Sequence, residues 1–216
     1  IEANGPHGHK TGIRTGLPSV AWRQINKGTQ PTKSASRAVT FQAGTIEQLG
    51  QVDEELVALA SDGAAFRLSE NKPQIEAISQ ELASTLFYGD VRANPEKFTG
   101  LSAFYSALSG VDSAENVISA GGSGSDNASL WLIVWSDDGI HGFYPKGTSA
   151  GISHEDKGKE RVTDSDSNPY YAFVDQYKAR LGLAVRDWRQ AVRICNIDVS
   201  DLATAGDESD TSANLT

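Results

Sequence analysis

SENKPQIEAISQELASTLFYG, from Ser69 to Gly89, carries the clearest helical periodicity in the chain. Its main apolar residues recur at steps of three and four and therefore share one helical face: Ile75, Ile78, Leu82 and Leu86. Ser69 or Asn71 is a candidate cap at the start, and Pro73 suits the first turn, where its missing N–H has no helical partner. Gly89 is placed to end the helix in a left-handed conformation. We therefore predict one long amphipathic helix whose apolar face needs a sheet to cover it.

The first 45 residues have a different character from the rest of the chain. They contain only one acidic residue, Glu2, and six basic residues: Lys10, Arg14, Arg23, Lys27, Lys33 and Arg37. Two strand-like runs, Gly12–Gln24 and Ala35–Ala43, flank the turn-rich segment INKGTQPTKS, which predicts a long β-hairpin. Such a hairpin has too few large apolar residues to bury itself. We expect residues 1–45 to form an arm that lies on a partner, and a solvated terminus is the alternative.

The segments on either side of the long helix also carry apolar patterns. The spacing of leucine and valine predicts a helix over Glu47–Ala60, which the Asp62-Gly63 pair then breaks. After Gly89, four residues are expected to seal one side of a core: Phe98, Leu101, Phe104 and Leu108.

The second half of the chain is rich in predicted strands. SLWLIVW, residues 129–135, predicts a strand buried on both faces, and Asp138-Gly139 predicts a hairpin turn from which IHGFYP returns antiparallel. Residues 146–168 are polar and predict a long loop, whereas Tyr170–Leu183 and Ala191–Ile197 have the pattern of strands. Because helices come early and strands late, we predict an α+β body over residues 46–216, with its strand-rich part at about 116–198.

Composition restricts the class of protein. The formal net charge is -9, which argues against a sequence-reading nucleic-acid domain, since such domains are usually basic. No apolar run reaches membrane length, so no membrane partner is expected. The single cysteine, Cys195, excludes an internal disulfide and is expected to be a small buried residue. Since the chain contains no methionine, we expect it to be a portion of a longer subunit.

The usual catalytic and metal-binding patterns are incomplete in this sequence. Asp164-x-Asp166-x-Asn168 opens like a calcium loop, but Pro169 holds the position where glycine makes the turn, so a solvated loop is favoured. His7 and His9 have no third metal ligand near them in sequence, and His141 and His154 are expected to be structural and exposed, respectively. Because no nucleophile pairs with a base, we predict no catalytic residue, metal ligand or cofactor.

Long phrases of the sequence resemble a family of tailed-phage major capsid proteins. They are HKTGIRTGLPSVAWRQINKGTQPTKS, AAFRLSE, QELASTLFYGD with NPEKFTGL, GSDNASLWLIVW, HGFYPKG and GLAVRDWRQAVRICNIDVSDL. They are colinear from about Gly8 to Leu202. The resemblance implies the shell fold named after phage Hong Kong ninety-seven, with an extended β-hairpin loop, a long spine helix, and peripheral and axial mixed α/β parts. The helix that ends at Gly89 would be the spine. Chains of this family are longer at both ends.

The resemblance implies a structural function rather than an enzymatic one. The protein is expected to self-assemble into the icosahedral head that encloses phage DNA, and to be part of the virion after assembly in the host bacterial cytoplasm. Expected partners are other copies of itself in pentamers and hexamers, portal and scaffolding proteins, and double-stranded DNA enclosed without sequence-specific binding. The residues expected at the subunit interface are Arg14, Trp22, Arg23, Lys27, Lys33 and Arg37.

Two alternatives remain open at this point. Bacterial nanocompartment shells share the same fold and enclose enzymes instead of DNA. An enzyme or ligand-binding domain with an unrecognised site is the third possibility, and a deep pocket with convergent titratable groups would favour it.

Overall fold

The computed structural model describes residues 1–123 and 125–199 of the chain. Within them the elements follow in this order: β1 (Gly8–Gly16), β2 (Ala35–Gln42), β3 (Gly44–Asp53), α1 (Glu54–Leu59), α2 (Gly63–Tyr88), α3 (Leu101–Phe104), β4 (Val117–Ser119), β5 (Asn127–Ile133), β6 (Ile140–Phe143), β7 (Ile152–Thr163), β8 (Pro169–Val185) and β9 (Ala191–Asp198). Short 3-10 turns at Asp112–Asn116 and Trp188–Gln190 precede β4 and β9. Helices precede most strands, which confirms the predicted α+β class. No helix in the described ranges has the length and apolar character needed to cross a membrane.

The long helix α2 begins six residues before the predicted start. Asp62 caps it, because its carboxylate accepts hydrogen bonds from the backbone N–H groups of Ala64 and Ala65 at 3.1 and 3.0 Å. Pro73 therefore lies in the helix interior rather than in the first turn, and the predicted caps at Ser69 and Asn71 are wrong.

The end of α2 is at the predicted place but for a different reason. Gly89 has φ −60° and ψ 132°, so the predicted left-handed conformation is wrong. Glycine is required there by close approach: a Cβ would lie 2.4 Å from the carbonyl oxygen of Phe98 and 2.6 Å from that of Thr85. The chain can therefore pass tightly under the helix end before it enters the core.

The main sheet is built on β8, which pairs along both of its edges. β3 runs antiparallel along one edge, from the Gly44–Leu181 pair to the Asp53–Ala172 pair. β7 and β6 pair with successive parts of the other edge, β7 up to Ala179 and β6 over Gly182–Val185. Helix α2 covers one face of this sheet through three buried side chains spaced seven residues apart: Asn71, Ile78 and Thr85.

Two predictions for the elements of this sheet are wrong. Residues 44–53 form a strand, and only Glu54–Leu59 of the predicted helix Glu47–Ala60 is helical. Ten consecutive pairs with β8 outweigh the local helical spacing of the leucines. The predicted loop at 146–168 contains the twelve-residue strand β7, whose side chains are mostly charged and exposed. β7 pairs with β8 through backbone groups, so it needs few apolar residues.

A smaller sheet has β9 at its centre, parallel to β4 and antiparallel to β5. The prediction that SLWLIVW is buried on both faces is wrong. Trp131 and Ile133 pack against the core, whereas Leu130 and Leu132 are 50% and 60% exposed. The turn at Asp138-Gly139 forms, but the strand after it, β6, pairs with β8 and not with β5.

The main core lies between the C-terminal half of α2 and the two sheets. Its buried members include Phe98, Leu101, Tyr105, Ile140, Leu183 and Cys195. Phe98 and Leu101 are buried as predicted and Phe104 is partly buried, but Leu108 is 54% exposed and does not seal the core. The hydroxyl of Tyr105 donates to the carbonyl oxygen of Trp188 at 2.7 Å, which joins the core to the turn before β9.

Candidate subunit interface

The N-terminal hairpin has a root that packs on its own chain. β1 and β2 pair from Gly8–Gln42 to Gly16–Ala35. The first strand starts earlier than the predicted Gly12–Gln24 and ends at Gly16, so the prediction of a strand up to Gln24 is wrong. Phe41, at the root, is 6% exposed and belongs to a second small core with Phe143 and Ala184. The root therefore contacts its own body.

The remainder of the hairpin, residues 17–34, is called the arm tip here. Every residue of the arm tip is exposed and none is in a strand. It presents four large apolar side chains to solvent, Leu17, Val20, Trp22 and Ile25, with Trp22 103% exposed. Such a concentration of exposed apolar side chains on a projecting segment is typical of an interaction surface.

The six side chains predicted for the interface fall into two groups. Trp22, Arg23, Lys27 and Lys33 all lie in the arm tip, where Lys27 follows a turn closed by its N–H to the carbonyl of Gln24 at 3.2 Å. Arg14 and Arg37 lie instead on the paired strands. Arg14 borders a recess beside Asp138, Arg186 and Asp187 of its own chain. The pKa of Asp187 is lowered mainly by hydrogen bonds from Arg189, and the charge of Arg14 adds to this effect.

Two histidines join the hairpin root to the body, half-buried His9 and buried His141. The ring of His9 on β1 lies 5.7 Å from the ring of His141 on β6 and 5.5 Å from that of Phe143. His141 is 6% exposed, and neither of its ring nitrogens has a hydrogen-bond partner among the described residues. Burial lowers the pKa of both histidines, and for His141 the neighbouring His9 adds to the effect. Both are therefore neutral at pH 7 and serve as packing residues.

Sequence reasoning missed a buried polar cluster that ties α2 to the main sheet. Asp175 on β8 is 2% exposed. Its Oδ2 accepts from Arg67 Nη2 at 2.9 Å and from Asn71 Nδ2 at 2.7 Å, and its Oδ1 lies 2.8 Å from His154 Nε2. The same Arg67 pairs with Asp156 of β7 at 3.1 Å. One carboxylate therefore connects the helix, the central strand and the edge strand, and we call these residues the Asp175 cluster.

Charge and ring contacts complete the Asp175 cluster. Burial alone would raise the pKa of Asp175, but hydrogen bonds from His154, Arg67 and Asn71 outweigh burial and hold this pKa below its ordinary value. The guanidinium of Arg67 lies 4.6 Å from the ring centre of Phe173, and His154 stacks on Tyr177 at 4.8 Å. One signal in the sequence pointed to this cluster: Asp175 is the only charged residue in YYAFVDQY, residues 170–177.

An apolar recess opens beside the C-terminal half of α2, and we call it the α2 recess. It has a volume of about 150 Å³ and is lined by buried or half-buried side chains, including Ile46, Leu82, Phe98 and Leu181. Exposed Glu81 and Glu96 stand at its border. Glu81 pairs with Lys97 at 2.6 Å, whereas Glu96 makes no ion pair among residues 1–123 and 125–199.

The polar loops show a structural role for their carboxylates. Asp164 lies in the tight turn between β7 and β8, where its Oδ1 accepts from the backbone N–H groups of Asp166 and Asn168. The hydrogen bond from the Asn168 backbone is the main reason why the pKa of Asp164 is lowered. In the part of the chain that the structure describes, no three His, Cys, Asp or Glu side chains come together to hold a metal ion.

Comparison with known proteins identifies the family. The family described as "Major capsid protein GP7" matches residues 1–216. A chain of the bacteriophage Epsilon15 structure superposes with a TM-score of 0.62 at 35% identity, over 94% of this chain and 62% of that chain. This chain thus spans less than two thirds of the Epsilon15 chain. Two more distant structures show the same fold: a chain of Mycobacterium phage Adephagia (TM-score 0.54, 11% identity, 89% and 86% covered) and the SrpI encapsulin of Synechococcus elongatus (0.53, 11%, 93% and 84%).

No curated protein matches this sequence. The family match and the Epsilon15 likeness agree with the fold described above, in which an extended hairpin precedes a long helix and a mixed, strand-rich body. The chain belongs to the major capsid protein GP7 family.

Proposed function

We propose that this chain is the shell-forming part of a subunit that self-assembles into the icosahedral head of a tailed phage and encloses its DNA. The observation that carries the proposal is the arm tip: eighteen exposed residues project from a root that is anchored in the subunit, and they include a fully exposed tryptophan, Trp22. A projecting apolar and basic segment of this kind has no use in a lone globular domain. It suits contacts between neighbouring copies in a closed shell.

Charge supports contacts between copies. Residues 1–45 carry a formal charge of +5, whereas residues 46–216 carry -14. When the basic residues 1–45 of one copy lie on the acidic body of a neighbouring copy, the opposite charges attract and favour the correct alignment of the two copies. Trp22, Arg23, Lys27 and Lys33 are the contact residues we propose, with Arg37 on the adjoining strand. Arg14 is nearer to carboxylates of its own chain and contributes less.

The proposed partners are other copies in pentamers and hexamers, together with portal and scaffolding proteins. Double-stranded DNA would be enclosed without sequence-specific binding, since an acidic body does not grip phosphates. The family's description as a major capsid protein supports a location in the virion, and we propose assembly in the cytoplasm of the host bacterium. The same description favours a structural role over catalysis. It also favours a DNA-filled head over a nanocompartment, because the likeness to the encapsulin, at 11% identity, concerns the fold alone.

Electron microscopy of the full-length protein tests the proposal. Uniform closed particles are expected, and a protein that stays monomeric under all conditions would contradict the proposal.

Trp22→Ala should raise the concentration needed for assembly by about tenfold or more, since a buried interface tryptophan contributes about 2 kcal/mol. Arg23→Glu should also weaken assembly, while the control Arg92→Glu, which reverses an exposed arginine on the body, should not.

Both arm variants should leave the unfolding of the unassembled subunit unchanged, because Trp22 and Arg23 touch nothing that stabilises it. Loss of the subunit's own unfolding transition in Trp22→Ala would show that the arm tip is part of the core. Gene neighbours separate the two shell functions: a terminase and portal indicate a phage head, and a cargo enzyme indicates a nanocompartment.

A further inference from the structure

We propose that the α2 recess of one subunit receives the indole of Trp22 from a second copy. This inference rests on the proposed function, since it assigns the acceptor for the arm tip. The recess is open, apolar and adjoins a buried phenylalanine, Phe98. An apolar cavity of about 150 Å³ admits a benzene-sized ring, so the six-membered ring of the indole fits, with the remainder at the mouth.

The geometry of the hairpin excludes occupation by the same chain. The α2 recess is lined by Gly44, two residues beyond the end of β2 at Gln42, and so lies at the root of the arm. The eight residues of β2 carry the chain roughly 27 Å away from that root before the arm tip begins. Trp22 could return to its own recess only if the β1–β2 ladder were broken. The occupant is therefore the arm tip of another copy.

Charge at the mouth of the recess matches the arm tip. Trp22 is followed directly by Arg23, and Lys27 lies four residues after Arg23. Glu96 stands exposed at the mouth and makes no ion pair within the described ranges, so it is free to meet one of these cations. A rival exposed apolar surface is formed by Ile118, Leu130 and Leu132, which are aliphatic side chains on the small sheet.

The contact has a consequence for assembly. The arm tip and the α2 recess are different patches of the same chain, so each subunit uses its arm on one neighbour and its recess on the other. A heterologous contact of this type closes into a ring when the rotation between neighbours permits it. This is the arrangement that rings of capsid subunits require.

Cysteine pairs provide the test, since Cys195, the single cysteine of this sequence, is buried. Ala21→Cys keeps Trp22 in place and is combined with Thr45→Cys, an exposed position at the recess. The matched rival pair combines Ala21→Cys with Leu132→Cys on the exposed sheet face, and Ala21→Cys alone reports tip-to-tip contacts. Particles of each full-length variant are treated with a short bis-maleimide and separated under denaturing conditions.

The expected result is a ladder of cross-linked subunits from the Ala21→Cys/Thr45→Cys pair at least tenfold stronger than that from the Leu132 pair or the single variant. Adding Trp22→Ala to the first pair should reduce its cross-linking about tenfold. Assembled particles that cross-link at Leu132, or at neither position, would overturn the assignment of the recess and leave the shell function intact. Failure of the parent protein to form particles would overturn both.

Discussion

Removal of the carboxylate at the centre of the Asp175 cluster should destabilise the subunit severely. Asp175→Ala takes away the acceptor for Asn71 Nδ2 and Arg67 Nη2 and the partner of His154. Asn71 is 5% exposed, so water cannot replace its lost bond, and its Oδ1 already has no partner among the described residues. An unpaired buried donor costs about 1–3 kcal/mol.

The arginine adds to this loss. The side chain of Arg67 is 20% exposed, so its charge is only partly rehydrated, and breaking a buried ion pair from one side costs about 3–5 kcal/mol. His154, at 50% side-chain exposure, can turn to water and contributes little. Because Arg67 keeps its ion pair with Asp156, the two losses do not add in full, and we expect Asp175→Ala to lower the free energy of unfolding by about 3–5 kcal/mol.

Asp156→Ala is the matched control, because it removes a carboxylate from the same arginine. The Asp156 side chain is 49% exposed, so its pairing with Arg67 is screened and its loss should cost less than about 1 kcal/mol. The assay is urea unfolding of the unassembled subunit at pH 7, with the slope against urea unchanged among variants. If the two variants differ by less than about 1 kcal/mol, the Asp175 cluster is not what holds α2 to the sheet.

Three further predictions concern the subunit before assembly. Burial keeps the folded-state pKa of His141 below its ordinary value of 6.5, so the unfolded state binds the proton first as the pH falls. The free energy of unfolding should therefore fall below about pH 6.5, by up to about 1.4 kcal/mol per pH unit. Urea unfolding at pH 7 and pH 5 should show a smaller drop for His141→Phe than for the unchanged protein. Gly89→Ala forces a Cβ against two backbone carbonyls and should lower the free energy of unfolding by about 1–3 kcal/mol. The control Gly12→Ala, whose Cβ would have no atom within 4 Å, should change it by less than about 0.5 kcal/mol. Equal effects of the two substitutions would contradict the close approach at Gly89. Ile133→Ser should lower the melting temperature, because it removes about 1–2 kcal/mol of core packing. Leu132→Ser should leave the melting temperature nearly unchanged, because Leu132 is 60% exposed. The reverse order would show that β5 turns its other face to the core.

The sequence predicted the long helix well because its signal is local. The apolar spacing from Ile75 to Leu86 can be recognised within one element, although Ile75 is 40% exposed, and the helix ends where Gly89 must be small. The helix start was misplaced because Asp62-Gly63 resembles a helix-breaking turn in sequence, whereas α1 already ends at Leu59 and Asp62 caps α2. A proline in the first turn is a common pattern, and Pro73 in the interior departs from it.

Elements that depend on distant pairing were predicted less well. Leu49 and Val52 of β3 share a helical spacing with Leu56 and Leu59 of α1, and only the ladder with β8, some 130 residues later, makes residues 44–53 a strand. β7 has almost no apolar pattern, because a strand at a sheet edge is held through its backbone. The Asp175 cluster was missed for a similar reason: Arg67, Asn71 and His154 are unremarkable polar residues until the fold brings them to one carboxylate. By contrast, the basic character of the arm was visible from composition alone.

The seventeen-residue strand β8 gives the subunit a mechanical axis. At about 3.4 Å per residue it spans roughly 58 Å, with β3 on one side and β7 and β6 on the other. Its hydrogen bonds lie across the strand, so tension along the strand shears many of them at once, whereas tension across it opens them one pair at a time. We expect the subunit to resist stretching along β8 far better than peeling of β7, and single-molecule pulling through cysteines placed for each direction would measure the difference. In a head under outward pressure, the orientation of β8 relative to the hoop stress would then set where the wall yields.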